Sequence, residues 1–226
     1  MPFLKKVWYI TWKDIRSEFR TKETMTSMLI FALLVLVIFS FAFNPTPTET
    51  KRIFPGIIWV GFFFAGVLGL NRSFAREREN DCLAGLMLAP VDRSAIYFGK
   101  VLGNSLFMLV VELVTLPVFI VFFDYSVRGS LVALGLIFLL GTFGFVAVGT
   151  FLSALATNTR TSEILLPIIL FPIIIPVVIA VVQATASIFA GASWSAATLL
   201  WVKVLVAYDV IFLVVPFLLF EYLLEV

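Results

Sequence analysis

Apolar residues along this chain come in long unbroken runs separated by short polar stretches. Six runs reach the roughly 18–20 residues that a helix needs to cross a hydrocarbon core of about 30 Å. They predict spans over residues 25–43, 53–71, 100–123, 131–155, 164–188 and 204–224. None alternates apolar and polar positions over the short segments that barrel strands require, so the fold class is all-α and integral to the membrane, one transmembrane domain over residues 1–226. Ahead of the first run the pattern changes. Leu4, Trp8, Trp12, Ile15 and Phe19 fall within an arc of about 80° at 100° per residue, with Lys6, Lys13, Arg16 and Arg20 elsewhere on the wheel. Residues 1–24 therefore predict an amphipathic interfacial helix whose tryptophans suit the headgroup boundary and whose cations suit an anionic leaflet. It serves either as a plain topogenic anchor or as an elbow that moves with the first span.

Composition agrees: a mean hydropathy of +1.10 with 13% charged residues leaves too little polar surface to cover a soluble globule. Lys and Arg then orient the spans, because basic segments resist translocation. With the N-terminus inside, 12 of the 16 fall on the cytoplasmic side, and only Lys51, Arg52, Arg128 and Lys203 fall outside. Six crossings return the C-terminus, with Glu221 and Glu225, to the cytoplasm. The first run reads as a retained span, since it ends in Phe41-Ala42-Phe43 rather than a small-x-small cleavage site. A single cysteine, Cys82, allows no intrachain disulfide, and the lack of histidine removes the commonest metal and haem-iron ligand. No GxxxxGK[ST] run cradles nucleotide phosphates, so any ATP chemistry belongs to another subunit and the chain is not expected to be an enzyme. Membrane lipid is an expected partner and nucleic acid is not.

Residues 72–100 interrupt the apolar pattern most informatively. Arg72, Arg76, Glu77, Arg78, Glu79 and Asp81 continue the second span as a charged extension, after which Cys82, Leu83, Leu86 and Met87 give a short helix one apolar face. Pro90 ends that helix, and Asp92 or Ser94 can cap the next by accepting a hydrogen bond from a free backbone N–H. The result is a small knob suited to docking a partner, or a solvated loop.

This stretch, with Ala89-Pro90-Val91-Asp92-Arg93 and then Gly99-Lys100, resembles the cytoplasmic coupling region of ABC-2-type (type V exporter-like) permeases. Together with chain length, the N-terminal helix and six spans, it is similar to the haem exporter protein B (CcmB) family of the bacterial cytochrome c maturation system. The resemblance implies a homodimeric permease in the bacterial inner membrane, with two copies of a separate ATPase subunit that binds ATP and Mg, haem-handling membrane subunits and a periplasmic haem chaperone. No cofactor is expected to bind this chain directly, and haem is handled at most indirectly. The coupling region would span residues 72–99, with residues 80–88 in a cleft of the ATPase. Leu83, Leu86 and Met87 would be its anchors, with Arg76, Glu77, Arg78, Glu79, Asp81, Pro90 and Arg93 around them. Two rival functions stay open: an exporter of a lipid, glycan or drug, and a scaffold that transmits force from the ATPase without passing a solute.

Within the spans, Gly61, Ala65 and Gly69 repeat every four residues, and Gly141, Gly144, Ala147 and Gly149 cluster on the fourth run. Such residues let helices approach closely, within one subunit or at a dimer seam. Pro167, Pro172 and Pro176 each remove a backbone donor from the fifth run, making it a moving part or a kinked one. Glu112 lies at the centre of the third span and Asp209 is a shallower acid in the sixth. A charge at mid-membrane costs about 2.5–3.5 kcal/mol on insertion scales, so Glu112 predicts a partner or a wet cavity, and serves either a path or switch or else packing. Between the last two spans, residues 189–203 with Trp194 and Trp201 predict short helices dipping into the outer interface, as a gate or as an anchor.

Overall fold

The computed structural model describes residues 2–42, 47–79, 92–156 and 162–223. These form seven helices: α1 (Phe3–Thr21), α2 (Glu23–Ala42), α3 (Pro47–Glu79), α4 (Arg93–Phe122), α5 (Leu131–Ala156), α6 (Ser162–Phe189) and α7 (Ala196–Leu223). Six of them, α2 to α7, are long and apolar enough to cross a membrane, so the chain is an all-helical, multi-pass membrane protein.

Hydrocarbon supplies no hydrophobic drive between helices, so burial has to come from close packing. The central helices are α3 and α5, whose spans are 72% and 61% buried, against 22% for the peripheral α2 and α7. Aromatic side chains fill the space between them: Trp59 lies 5.0 Å from Phe138 and 5.4 Å from Phe63, and Phe63 lies 5.1 Å from Phe145. The small-residue stripes are used inside this one chain. A methyl on Gly69 would meet Met28 Sδ of α2 at 2.6 Å, and one on Gly61 would touch Val35 of the same helix. On α5, Gly141 admits Val181 and Trp59, Gly144 admits Asp209, and Gly149 admits Leu70.

Polar side chains fasten the same contacts, since a group removed from water needs a partner. Tyr97 of α4 donates its hydroxyl toward two helix carbonyls, Ala147 O at 3.1 Å and Phe212 O at 3.2 Å, tying α4 to α5 and α7. Trp59 Nε1 donates to Thr185 Oγ1 at 2.9 Å, joining α3 to α6. The Tyr208 hydroxyl donates to Ile173 O at 3.2 Å, beside the Pro172 carbonyl whose amide donor Pro176 removes. With its three prolines, α6 is nevertheless one helix from Ser162 to Phe189.

Two expectations are corrected. No short outer helices fill residues 189–203: only residues 190–195 form a turn, with Gly191 at φ +96°, and the sixth span begins at Ala196. Ser195 accepts from Thr198 N–H at 3.2 Å and so caps that helix directly, which leaves no room for a separate element. The longer span also moves Asp209 from a shallow position to the middle of the stretch Ala196–Leu218.

We expect Tyr97→Phe, which removes one hydroxyl and leaves the ring, to lower stability by about 0.6 kcal/mol, the usual worth of an interhelical hydrogen bond in a membrane bundle. Thermal unfolding in mild detergent reads this out. An unchanged midpoint would show that the hydroxyl does not tie α4 to α5 and α7.

Candidate functional site

Where α1 packs on the first turns of α4, the described residues bring a buried lysine to an aspartate. At 100° per residue, Ile10, Asp14, Val7, Glu18 and Thr11 occupy an arc of about 100° on α1, away from the tryptophan stripe. Val7, Ile10, Thr11 and Glu18 are buried, while Leu4, Trp8, Trp12 and Phe19 are exposed. The face that packs is thus a different one from the apolar stripe.

Gly99 and Gly103 of α4 receive that face. A methyl on Gly99 would lie 2.7 Å from Ile10 Cγ2 and 3.2 Å from the Val7 carbonyl, so the helices meet nearly backbone to backbone. Thr11 Oγ1 lies 3.0 Å from both Val7 O and Gly99 O and bridges the two helices. One residue on, Lys100 is only 2% exposed, and its Nζ lies 2.9 Å from Asp14 Oδ2. Lys13 Nζ approaches the other oxygen, Oδ1, at 3.2 Å. A further ion pair closes the clasp at its far end, Lys6 Nζ to Asp92 Oδ2 at 2.9 Å. The hydrogen bond and charge of Lys6 hold the Asp92 carboxyl below its ordinary range.

That pair corrects the capping expectation. Asp92 occupies the N-cap position of α4 but makes no side-chain cap bond, because its carboxylate is turned to Lys6, and Ser94 is buried within the helix. Glu18 in turn serves α2: α1 ends at Lys22 in a left-handed conformation, φ 57°, and Glu18 Oε1 accepts from Met25 N–H at 2.9 Å. A carboxylate at a helix start satisfies one of its orphan donors and complements its dipole. One short helix is therefore bonded to both α2 and α4.

The two intramembrane acids flank α5. Both oxygens of Glu112, 2.7 and 2.9 Å away, face the Thr142 hydroxyl, and the residue is 1% exposed. Asp209 sits against Gly144, where a methyl would lie 2.4 Å from its Oδ1, and that buried oxygen has no hydrogen-bond partner. Thr142 and Gly144 are two residues apart and so point about 200° apart on the helix. The acids thus lie at similar height on opposite sides of one central helix.

The remaining sequence candidates are scattered or undescribed. The backbone of Arg76, Glu77, Arg78 and Glu79 forms the last turn of α3, and Arg93 opens α4. Asp81, Leu83, Leu86, Met87 and Pro90 lie outside the described residues. Trp194 is exposed in the turn of residues 190–195, whereas Trp201 packs half-buried against the core from α7. Sequence reasoning missed Asp14, Lys100 and Thr142. A usable signal existed for the first two: Gly99 and Gly103 have the same four-residue spacing as the stripe on α3.

The family model described as CcmB protein matches residues 5–221, nearly all of α1 through α7. The chain belongs to the CcmB family. Among its curated relatives, heme exporter protein B of Pseudomonas aeruginosa is 27% identical over 195 residues, 86% of each chain. That of Rhodobacter capsulatus is 29% identical over 160 residues, 71% of this chain and 73% of the relative. The match to heme exporter protein B of Escherichia coli K12 is 33% identical over 97 residues and spans less than half of that relative, 44% of its length. The ion pairs of α1 and both membrane acids fall inside the stretch assigned to the CcmB family.

Lys100→Met leaves the partly buried Asp14 carboxylate to Lys13 alone and should cost about 2 kcal/mol, the usual worth of a hydrogen bond to a charged group. Adding Asp14→Asn should restore part of that loss. The checking measurement is a double-mutant cycle of thermal stability in detergent, in which strictly additive effects would dissolve the pair.

Proposed function

We propose that this CcmB-family chain is the membrane subunit of a cytochrome c maturation complex, in which a separate ATPase subunit drives haem delivery or the release of a haem-loaded periplasmic chaperone. The supporting observation is the clasp of α1 on α4. In sequence, the charged end of α3 and the first turn of α4 flank residues 80–88, the stretch read as seated in the ATPase cleft. Any displacement of that stretch acts directly on α3 and α4. The Lys100–Asp14 pair and the Gly99–Thr11 contact then carry it to α1, and Glu18 carries it on to α2. In this reading α1 is an elbow rather than a passive anchor, and the chain itself performs no ATP chemistry.

The orientation proposed for the chain places both termini and the docking stretch on the cytoplasmic side of the inner membrane. Lys6–Asp92 and Lys100–Asp14 support it by holding α1 at the end of the bundle where α4 begins. A homodimer with two ATPase subunits completes the assembly, which includes haem-handling membrane subunits.

The force-transmitting scaffold remains a second reading on one observation. Among the described residues, the space between α3 and α5 is filled by Trp59, Phe63, Phe138 and Phe145, and a pocket between Thr24, Gly69 and Asn104 has room for about one water. A solute as large as haem would have to pass outside such a bundle. Export of a lipid, glycan or drug would require a continuous cavity between subunits and ATPase activity that responds to substrate.

The deciding experiment is recovery of the chain from solubilised native membrane, with identification of its partners and a haem absorbance spectrum. A P-loop ATPase together with haem-handling membrane subunits is the expected result, whereas an ATPase without them would favour the exporter. Leu86→Arg, which places a charge on the apolar face of the docking stretch, should abolish co-purification of the ATPase; undiminished recovery would end that assignment. Glu112→Gln keeps the size of the side chain and its reach to Thr142. We expect it to insert normally yet lower cytochrome c maturation, and normal maturation would leave Glu112 a packing residue.

A further inference from the structure

The surface of α1 divides into three arcs with different chemistry. One arc packs on α4 through Val7, Ile10 and Asp14, as described above. A second carries the exposed Leu4, Trp8, Trp12 and Phe19, with the Trp8 and Trp12 rings stacked at 6.2 Å between centroids. The third carries Lys5, Arg16, Tyr9, Arg20 and Lys13, which at 100° per residue fill an arc of about 80° centred roughly 100° from the apolar one. Tyr9, Trp12, Lys13, Arg16 and Arg20 line a shallow groove along it, and all three cations are exposed.

The angles between the arcs decide what the groove faces. Directing the apolar arc into the acyl region of a bilayer puts the α4 contact to one side of α1 and turns the basic arc to the other, level with the headgroups. A bilayer surface satisfies both arcs at once. An acidic protein surface complements only the basic one and leaves Leu4 at 77% exposure and Phe19 at 68%.

We propose that α1 carries a binding site for the phosphate of an anionic glycerophospholipid, formed by Arg16 and Arg20 with Lys13 beside them and walled by Tyr9 and Trp12. The two guanidiniums present several donors to one phosphate. Lys13 is already drawn toward Asp14 at 3.2 Å and contributes charge rather than the main contact. Because Asp14 is in turn paired with Lys100, an occupied site would lie one ion pair away from α4. This inference does not depend on what the complex transports.

Native mass spectrometry of the purified, delipidated full-length chain tests it, with phosphatidylglycerol, phosphatidylcholine and glycerol 3-phosphate as probes. Phosphatidylglycerol should be retained well above phosphatidylcholine, and R16Q/R20Q should weaken its retention by about tenfold or more, given the attraction each cation has for an anionic headgroup. R128Q/K203Q, which removes two exposed cations far along the chain, should behave as the parent, and R16K/R20K should keep most of the preference. Equal retention of the two lipids by the parent overturns the site and leaves the basic arc to an acidic protein. Undiminished retention by R16Q/R20Q, or an equal loss in R128Q/K203Q, overturns it as well. Effective competition by glycerol 3-phosphate would make the ligand a free phosphate ester rather than a lipid. Should R16Q/R20Q fail to fold, the parent's lipid preference and R16K/R20K decide the matter.

Discussion

In a hydrocarbon solvent nothing drives apolar helices together except the closeness of their contact and the satisfaction of the few polar groups they carry. This constraint organises the chain around α5. Its glycines at 141, 144 and 149 admit Trp59 and Val181, Asp209, and Leu70 respectively, while Thr142 holds Glu112 and the Ala147 carbonyl accepts from Tyr97. Each neighbour of α5 is therefore fixed by a small residue, a hydrogen bond or both. The glycines are consumed by packing within the chain, which removes them as an argument for a dimer seam.

Against that tightly filled middle, the end carrying α1 is built from different materials. Ion pairs and a shared hydroxyl join the apolar contacts of Ile10 on Gly99 and of the Phe3 ring on Phe98 in holding α1 to α4, and a carboxylate holds it to α2. Charge-assisted contacts are strong where water is scarce, yet they can be exchanged for water or for another ion in a way that a packed aromatic cluster cannot. Such a boundary suits the coupling role proposed for α1. The proposed headgroup site on the exposed side of α1 would add the bilayer itself to the set of groups that this helix engages.

Asp209 is the less settled of the two intramembrane acids. Its partner-free buried oxygen is costly in hydrocarbon, and a glycine at position 144 is what makes room for it. Glu112, at similar height on the other side of α5, is held by both oxygens and is by comparison at rest. The two acids, one read from the sequence as central and the other as shallower, thus differ instead in how far their surroundings satisfy them.

Some of this was legible from the chain alone. The six spans follow from hydropathy and length, because a residue's affinity for hydrocarbon hardly depends on its neighbours in space. The helical extension of the second span to Glu79 was readable for the same local reason, and so was the amphipathic helix before the first span. Other features were settled by contacts between distant residues. The wheel of α1 shows an apolar stripe, but the packing of Val7, Ile10, Thr11 and Asp14 needed Gly99 and Gly103 to arrive from some 90 residues away. Asp92 has the sequence of a cap, and a lysine 86 positions earlier takes its carboxylate instead. The start of the sixth span at Ala196 depended on Ser195 capping it, where small residues read equally well as a loop. Local polarity and periodicity determined which segments are helices and which cross the membrane; tertiary structure decided which faces meet and which charges are neutralised, because both are set by through-space distances that sequence order does not encode.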